Sequence, residues 1–80
     1  HLGMEIRLSD LQGKEITTFT GERLGHIKDL ILESTTGELQ TLVIDSDGFA
    51  PEGHELDDEG LLNIPFGAVR SVKDMVMVQL

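Results

Sequence analysis

Short runs of alternating apolar and polar residues, each broken by a glycine or a polar turn, leave this chain little room for anything but β-strands. A helix that folds a small domain needs an apolar stripe sustained over ten or more residues, whereas a half-buried strand needs only a period of two over four to eight. "MEIRL" (Met4–Leu8) alternates in that way, and "EITTF" (Glu15–Phe19) is rich in β-branched residues. "LQTLVID" (Leu39–Asp45), "LLNIP" (Leu61–Pro65) and "MVMVQL" (Met75–Leu80) complete the clear strands. Pro65 stops the pairing of the fourth of these, because proline has no N–H to donate.

"RLGHIKDLILE" (Arg23–Glu33) is ambiguous: Leu24, Ile27, Leu30 and Ile31 fall on a helical stripe, while Leu30 and Leu32 fit a strand. Gly25 and the flanking turns favour a strand, with a bulge where alternation breaks at Lys28-Asp29. The connections are short. "SDLQGK" predicts one helical turn, capped by Ser9 or Asp10 and ended by Gly13. Thr20-Gly21-Glu22 predicts a tight turn, and "STTGE" (Ser34–Glu38) predicts a hairpin loop with Gly37 at positive φ. "FGAV" predicts a one-turn connector, and "RSV" leads to a turn at Lys73-Asp74. About six short strands in 80 residues describe a single all-β domain, a small sandwich or barrel. His1-Leu2-Gly3 has the look of a vector remnant ahead of a start at Met4, so the domain is expected to span residues 4–80.

One stretch stands apart. "DSDGFAPEGHELDDEG" (residues 45–60) holds seven carboxylates and no Lys or Arg. The net charge is −9 from fifteen acids and six bases, so the rest of the chain keeps eight acids against those six bases, about −2. Direct binding to DNA or RNA is disfavoured, because phosphate recognition needs clustered Lys and Arg. Tyr and Trp are absent, which removes most base-stacking platforms. Without cysteine there are no disulfides, thiolate chemistry or Cys-type zinc sites. Apolar runs such as "LVI" and "LIL" are too short to span a membrane, and a charged, alternating segment follows Met4 where a signal peptide would be apolar. A cytoplasmic protein is the default expectation.

The acidic stretch invites a metal reading and fails most of its tests. An EF-hand loop needs ligands at its first, third and fifth positions, a glycine at the sixth and a Glu at the twelfth. Asp45 and Asp47 fit the first two, but Phe49, Ala50 and Leu56 occupy the others. A looser site from Asp45, Asp47, Asp57 and Asp58 competes with a solvated acidic loop, which is the preferred reading. His26 and His54 are not spaced as helical zinc ligands, and a zinc site of His54 with Glu52 or Glu55 has no further support. Flexible, equally wet carboxylates do not acquire the split pKa values of an acid–base pair. No "GxSxG", "GxxxxGK[ST]" or "GxGxxG" motif is present. The expectation is no enzyme, no catalytic residue and no cofactor.

The apolar surplus is more informative. Leu42, Val43 and Ile44 place aliphatics on both faces of one strand, and Met75, Val76, Met77 and Val78 do so in the last. One face fills the core, so the other must meet something. Two readings stand: the turn at residues 66–69 packs over one end of the barrel, or Leu42, Ile44, Met75 and Met77 form a self-association or partner surface. Asp47, Glu52, Glu55, Asp57, Asp58 and Glu59 would then steer a basic protein partner electrostatically. Lengthening a connection from four to sixteen residues costs only about 1.2 kcal/mol of closure entropy, so such a loop needs no metal to hold it and is expected to be a mobile flap.

Taken in order, "IRLSDLQGKEI", "GERLGHIKDLILESTTGELQTLVID" and "IPFGAVRSVKDMVMV" resemble the PRC-barrel domain, especially its short stand-alone bacterial and archaeal members. The resemblance covers Glu5–Asp45 and Leu61–Val78, and the family's recurring glycines fall on Gly13, Gly21, Gly25 and Gly37. It implies a small six-stranded β-barrel with short one-turn helical connectors. The same domain occurs in the photosynthetic reaction-centre H subunit, in the C-terminal part of the ribosome maturation factor RimM, and in archaeal cell-division adaptors. What the resemblance implies is therefore a protein–protein interaction or adaptor module. A homo-oligomeric structural protein and a metal-responsive module using the acidic loop are the competing readings.

Overall fold

The computed structural model describes residues 6–80. A single helical turn, α1 (Leu8–Leu11), leads into β1 (Glu15–Thr18), β2 (Arg23–Leu32), β3 (Leu39–Asp45) and β4 (Leu62–Pro65). A 3-10 turn at Phe66–Ala68 then joins β4 to β5 (Val69–Val72), and β6 (Val76–Val78) follows. All six strands form one sheet in the order β4-β3-β2-β1-β6-β5, antiparallel except where β1 runs parallel to β6.

That order forces the sheet to roll. The two end strands, β4 and β5, are consecutive in sequence and linked only by the 3-10 turn. Four residue steps reach at most about 14 Å. A flat sheet of six strands would hold its edges about 24 Å apart. Curling the ladder encloses one face, on which Ile16, Leu42, Ile44, Leu62, Ile64, Val76 and Val78 are fully buried. Phe66 and Ala68 pack against this core, so the connector does cover part of it.

The bulges explain why β2 looked partly helical. Ile27 pairs with Ile44 and Asp29 with Val43, which leaves Lys28 as an extra residue, as the broken alternation predicted. A second irregularity on the β1 side pairs Ile16 with Gly25 and Thr17 with Arg23, skipping Leu24. Each extra residue lengthens the inward spacing from two to three. Leu24, Ile27 and Leu30 thus all meet the core at intervals of three, which imitates a helical stripe. Arg70 does the same in β5, between inward Val69 and half-buried Val72.

Two expectations need correction. Residues 6–8 form no strand: Ile6 and Arg7 are irregular and Leu8 opens α1, while Met4 and Glu5 of the expected strand lie outside the described residues. The sixth strand is Val69–Val72 instead, hidden from the sequence by its bulge. Neither Ser9 nor Asp10 caps α1, whose N-cap position is Arg7 without a side-chain hydrogen bond. The turn is held by tertiary packing, with Leu11 wholly buried in the core.

Candidate interaction surface

The acidic stretch, expected as a mobile flap, is built as three successive turns and is pinned at two points. In the first, the Phe49 N–H donates to the Ser46 carbonyl (3.1 Å), and Asp47 and Gly48 both have positive φ, as the Asp-Gly pair of a mirror-image turn requires. The Ser46 hydroxyl donates back to the Phe49 carbonyl at 2.6 Å, and the Asp47 N–H donates to Asp45 Oδ1 at 3.1 Å. In the second, the His54 N–H donates to the Pro51 carbonyl (3.0 Å), and Pro51 is buried. In the third, the Gly60 N–H donates to the Asp57 carbonyl (2.9 Å). Just before it, Leu56 bridges to Leu62 of β4.

Asp57 organises the last turn. Its Oδ1 accepts the N–H groups of Glu59 (2.9 Å) and Leu61 (3.0 Å), and its Oδ2 accepts from the Asn63 side chain (2.8 Å). These bonds favour the charged form and hold the carboxyl below its ordinary value of 3.8, the Leu61 N–H contributing most and then Asn63. That is the wrong direction for a general acid. A side chain flagged by its charge proves to be part of the scaffold.

The other predicted site residues are dispersed. Asp45 faces His26 across the β2–β3 pair at 4.0 Å and shares a depression with Asp47, whereas Asp57 and Glu59 line a separate groove. Among the described residues, no group of three or more His, Asp or Glu is placed to hold a metal ion. Glu52, Glu55 and Asp58 are exposed to solvent.

The surface proposed from Leu42, Ile44, Met75 and Met77 is corrected by half. Leu42 and Ile44 are wholly buried, because the rolled sheet turns them inward. The outward residue of that strand is Val43, itself only 7% exposed. Val43 lines the floor of a groove with Ile31, Leu61, Asn63, Lys28 and Asp29, so its own neighbours cover the outer apolar face of β3. Met75 remains 40% exposed, and Met77 is half-buried beside its partner Thr17.

Sequence reasoning overlooked Phe19. At 54% exposure it is the most exposed of the large apolar side chains described. It borders a cleft of about 350 Å³ between the β1–β2 turn, the end of β6 and the Pro51–His54 turn, with Pro51, Val78 and Leu80 among the lining. Parity could have found it: if Ile16 points inward, Phe19 falls on the opposite face. Among the described residues, no helix is long and apolar enough to cross a membrane.

These features define a class first: a small rolled all-β domain whose carboxylates shape turns and whose exposed apolar side chains border shallow clefts. The chain belongs to the PRC-barrel domain family, whose model matches residues 4–80. A comparison with curated proteins found no match.

Proposed function

We propose that this domain is a non-enzymatic protein–protein interaction module. The observation that carries the reading is the pairing of exposed apolar side chains with carboxylates at the same openings. Phe19 and Leu80 border one cleft with Glu22 and Glu52, and Ile31 borders a second groove with Asp29, Asp57 and Glu59, where Lys28 is the one base. Single exposed apolar residues are ordinary on any surface, but an apolar side chain set among carboxylates, with no Lys or Arg in the Phe19 cleft, is what a complementary partner needs. Membership of a family whose domains often mediate protein contacts supports the same reading. Ribosome maturation and archaeal cell division, the settings suggested by the resemblance, are the first places to seek the partner.

The non-enzymatic part draws support from the roles that the acids already fill. Asp57 holds a turn, Asp45 holds the Asp47 N–H, and neither faces a positioned nucleophile. The exposed acids of the stretch are left to attract basic partners over a screening length of about 8 Å at physiological salt.

Excising the stretch would remove the buried Pro51 and break the Leu56–Leu62 bridge, so the clean test neutralises charge in place. Glu52→Gln, Glu55→Gln, Asp58→Asn and Glu59→Gln together spare the turn-building Asp45, Asp47 and Asp57. Co-purification from the native cell should recover a partner with the unaltered domain, less at about 1 M salt, where screening shortens to about 3 Å. The neutralised variant should recover less partner and lose the salt dependence. Equal recovery and equal salt dependence would end the steering role.

A further inference from the structure

We propose that the cleft beside Phe19 docks an extended segment of a partner protein that carries one apolar anchor side chain flanked by Lys or Arg. The proposal rests on the interaction-module reading and gives it a place and a chemistry. It starts from the way Phe19 is held. The Phe19 N–H donates to the Val78 carbonyl (3.3 Å), which ties the residue to β6. The adjoining turn is closed by Gly21 N–H to the Thr18 carbonyl (3.0 Å) and Thr18 N–H to the Glu22 carbonyl (2.9 Å). Thr18 Oγ1 accepts the Glu22 N–H (3.1 Å) and shares a hydrogen bond with Thr20 Oγ1 (2.8 Å). The backbone that presents the aromatic is thus fixed in advance, which lowers the ordering cost of binding.

The facing wall is equally fixed. Pro51 is buried, its carbonyl closes the second turn of the acidic stretch, and His54 Nδ1 lies 3.3 Å from the Glu52 carbonyl oxygen. The opening, about 350 Å³, lies at the small end of the range for ligand sites. That suits one anchor side chain rather than a folded surface.

Charge decides what flanks the anchor. Glu22 stands on one wall and Glu52 on the other, both exposed, and among the described residues no Lys or Arg lines the cleft. A segment with cationic residues on either side of its anchor finds an opposite charge on each wall. An acidic segment meets like charges twice, within a protein of net charge −9.

The test is a titration of the full, isotope-labelled chain, followed by amide NMR shifts. The probe is a blocked Ser-Lys-Leu-Lys-Ser peptide, run against Ser-Glu-Leu-Glu-Ser and Ser-Lys-Ser-Lys-Ser. The first should shift the amides of Thr18–Glu22, Glu52–His54 and Val78–Leu80, and the other two should bind at least about fivefold more weakly. Phe19→Ser should abolish the shifts while leaving the spectrum of a folded domain, since the side chain is exposed. Glu22→Gln with Glu52→Gln should weaken binding about two- to thirtyfold, the combined range for two exposed ion pairs. Shifts at other faces, equal binding of all the lysine peptides, or binding unaffected by Phe19→Ser would overturn the proposal. If a partner from the native cell ignores the cleft variants but is lost with Ile31→Ser, the cleft is wrong and the module reading survives. No peptide shift together with no partner retained by any form of the domain would overturn both.

Discussion

Gly25→Ala should be among the most damaging single substitutions in this chain, although it adds one methyl group. Gly25 sits in β2 with φ +134°, a conformation that residues with a side chain rarely adopt. Holding alanine there costs about 1–3 kcal/mol. A Cβ at this position would also stand 2.1 Å from the Asp45 carbonyl oxygen and 2.9 Å from Ser46 Cα. Both are backbone atoms, so no side chain can swing aside. The end of β3 must move by about 1 Å, disturbing pairing at His26–Asp45 and sacrificing one or two hydrogen bonds of about 1 kcal/mol each. Together these give about 2–5 kcal/mol. The whole stability of a domain this size is about 4–12 kcal/mol.

The control is Gly37→Ala, where φ is +76° and nothing lies within 4 Å of the added Cβ. It should cost only the left-handed conformation, about 1–2 kcal/mol. With no Trp or Tyr, intrinsic fluorescence offers little, and urea unfolding is best followed by far-ultraviolet circular dichroism. With a urea slope of about 1 kcal/mol per molar, the midpoints of the two variants should differ by about 2 M. If they agree within about 0.5 M, the close approach of β2 to β3 is not what Gly25 secures.

Leu42→Ala should destabilise by about 2–5 kcal/mol while Met75→Ala changes stability by no more than about 0.5, and denaturant midpoints would reveal a reversal. Asp57→Asn tests the depressed carboxyl: a group held below its ordinary value contributes stability above pH 3.8 that fades as pH falls through its folded value. The unaltered domain should therefore lose stability more steeply below about pH 4 than Asp57→Asn, and parallel acid limbs in unfolding at several pH values would contradict this. Calorimetric titration with Ca²⁺, Mg²⁺ and Zn²⁺ should give no heat beyond dilution, because the acids of the stretch point to separate depressions.

What the sequence disclosed and what it hid follow from one geometric fact. Alternation is a faithful guide only where each residue has one partner. Leu61–Pro65 obeys it in its pairing with β3, and Leu39–Asp45, which skips only Gln40 near its start, keeps enough of it to be legible too. Val69–Val72 carries a bulge, so its inward valines stand three apart and no period-two signal survives. Leu42, Val43 and Ile44 were equally apolar in sequence, and only the direction of roll shows that Val43 faces out beneath the Asp57–Leu61 turn. The acidic stretch misled differently. Its carboxylates suggested a solvated flap, yet Asp57 and Asp45 spend their oxygens on local N–H groups. Hydrogen bonds made within a loop leave no periodic trace, which is why charge was legible there and order was not.

The parallel seam between β1 and β6 has a consequence for how the chain folds. Four of the strands, from β1 to β4, follow one another across the sheet as sequential neighbours. The seam instead joins Ile16 to Val76, 60 positions along. Loops that long close late, so β2 and β3 should associate first and the seam last. During synthesis β1 must wait, with one edge unsatisfied, until the final strand emerges. Substitutions at Ile16 or Val76 should then act mainly by speeding unfolding, with little effect on the folding rate.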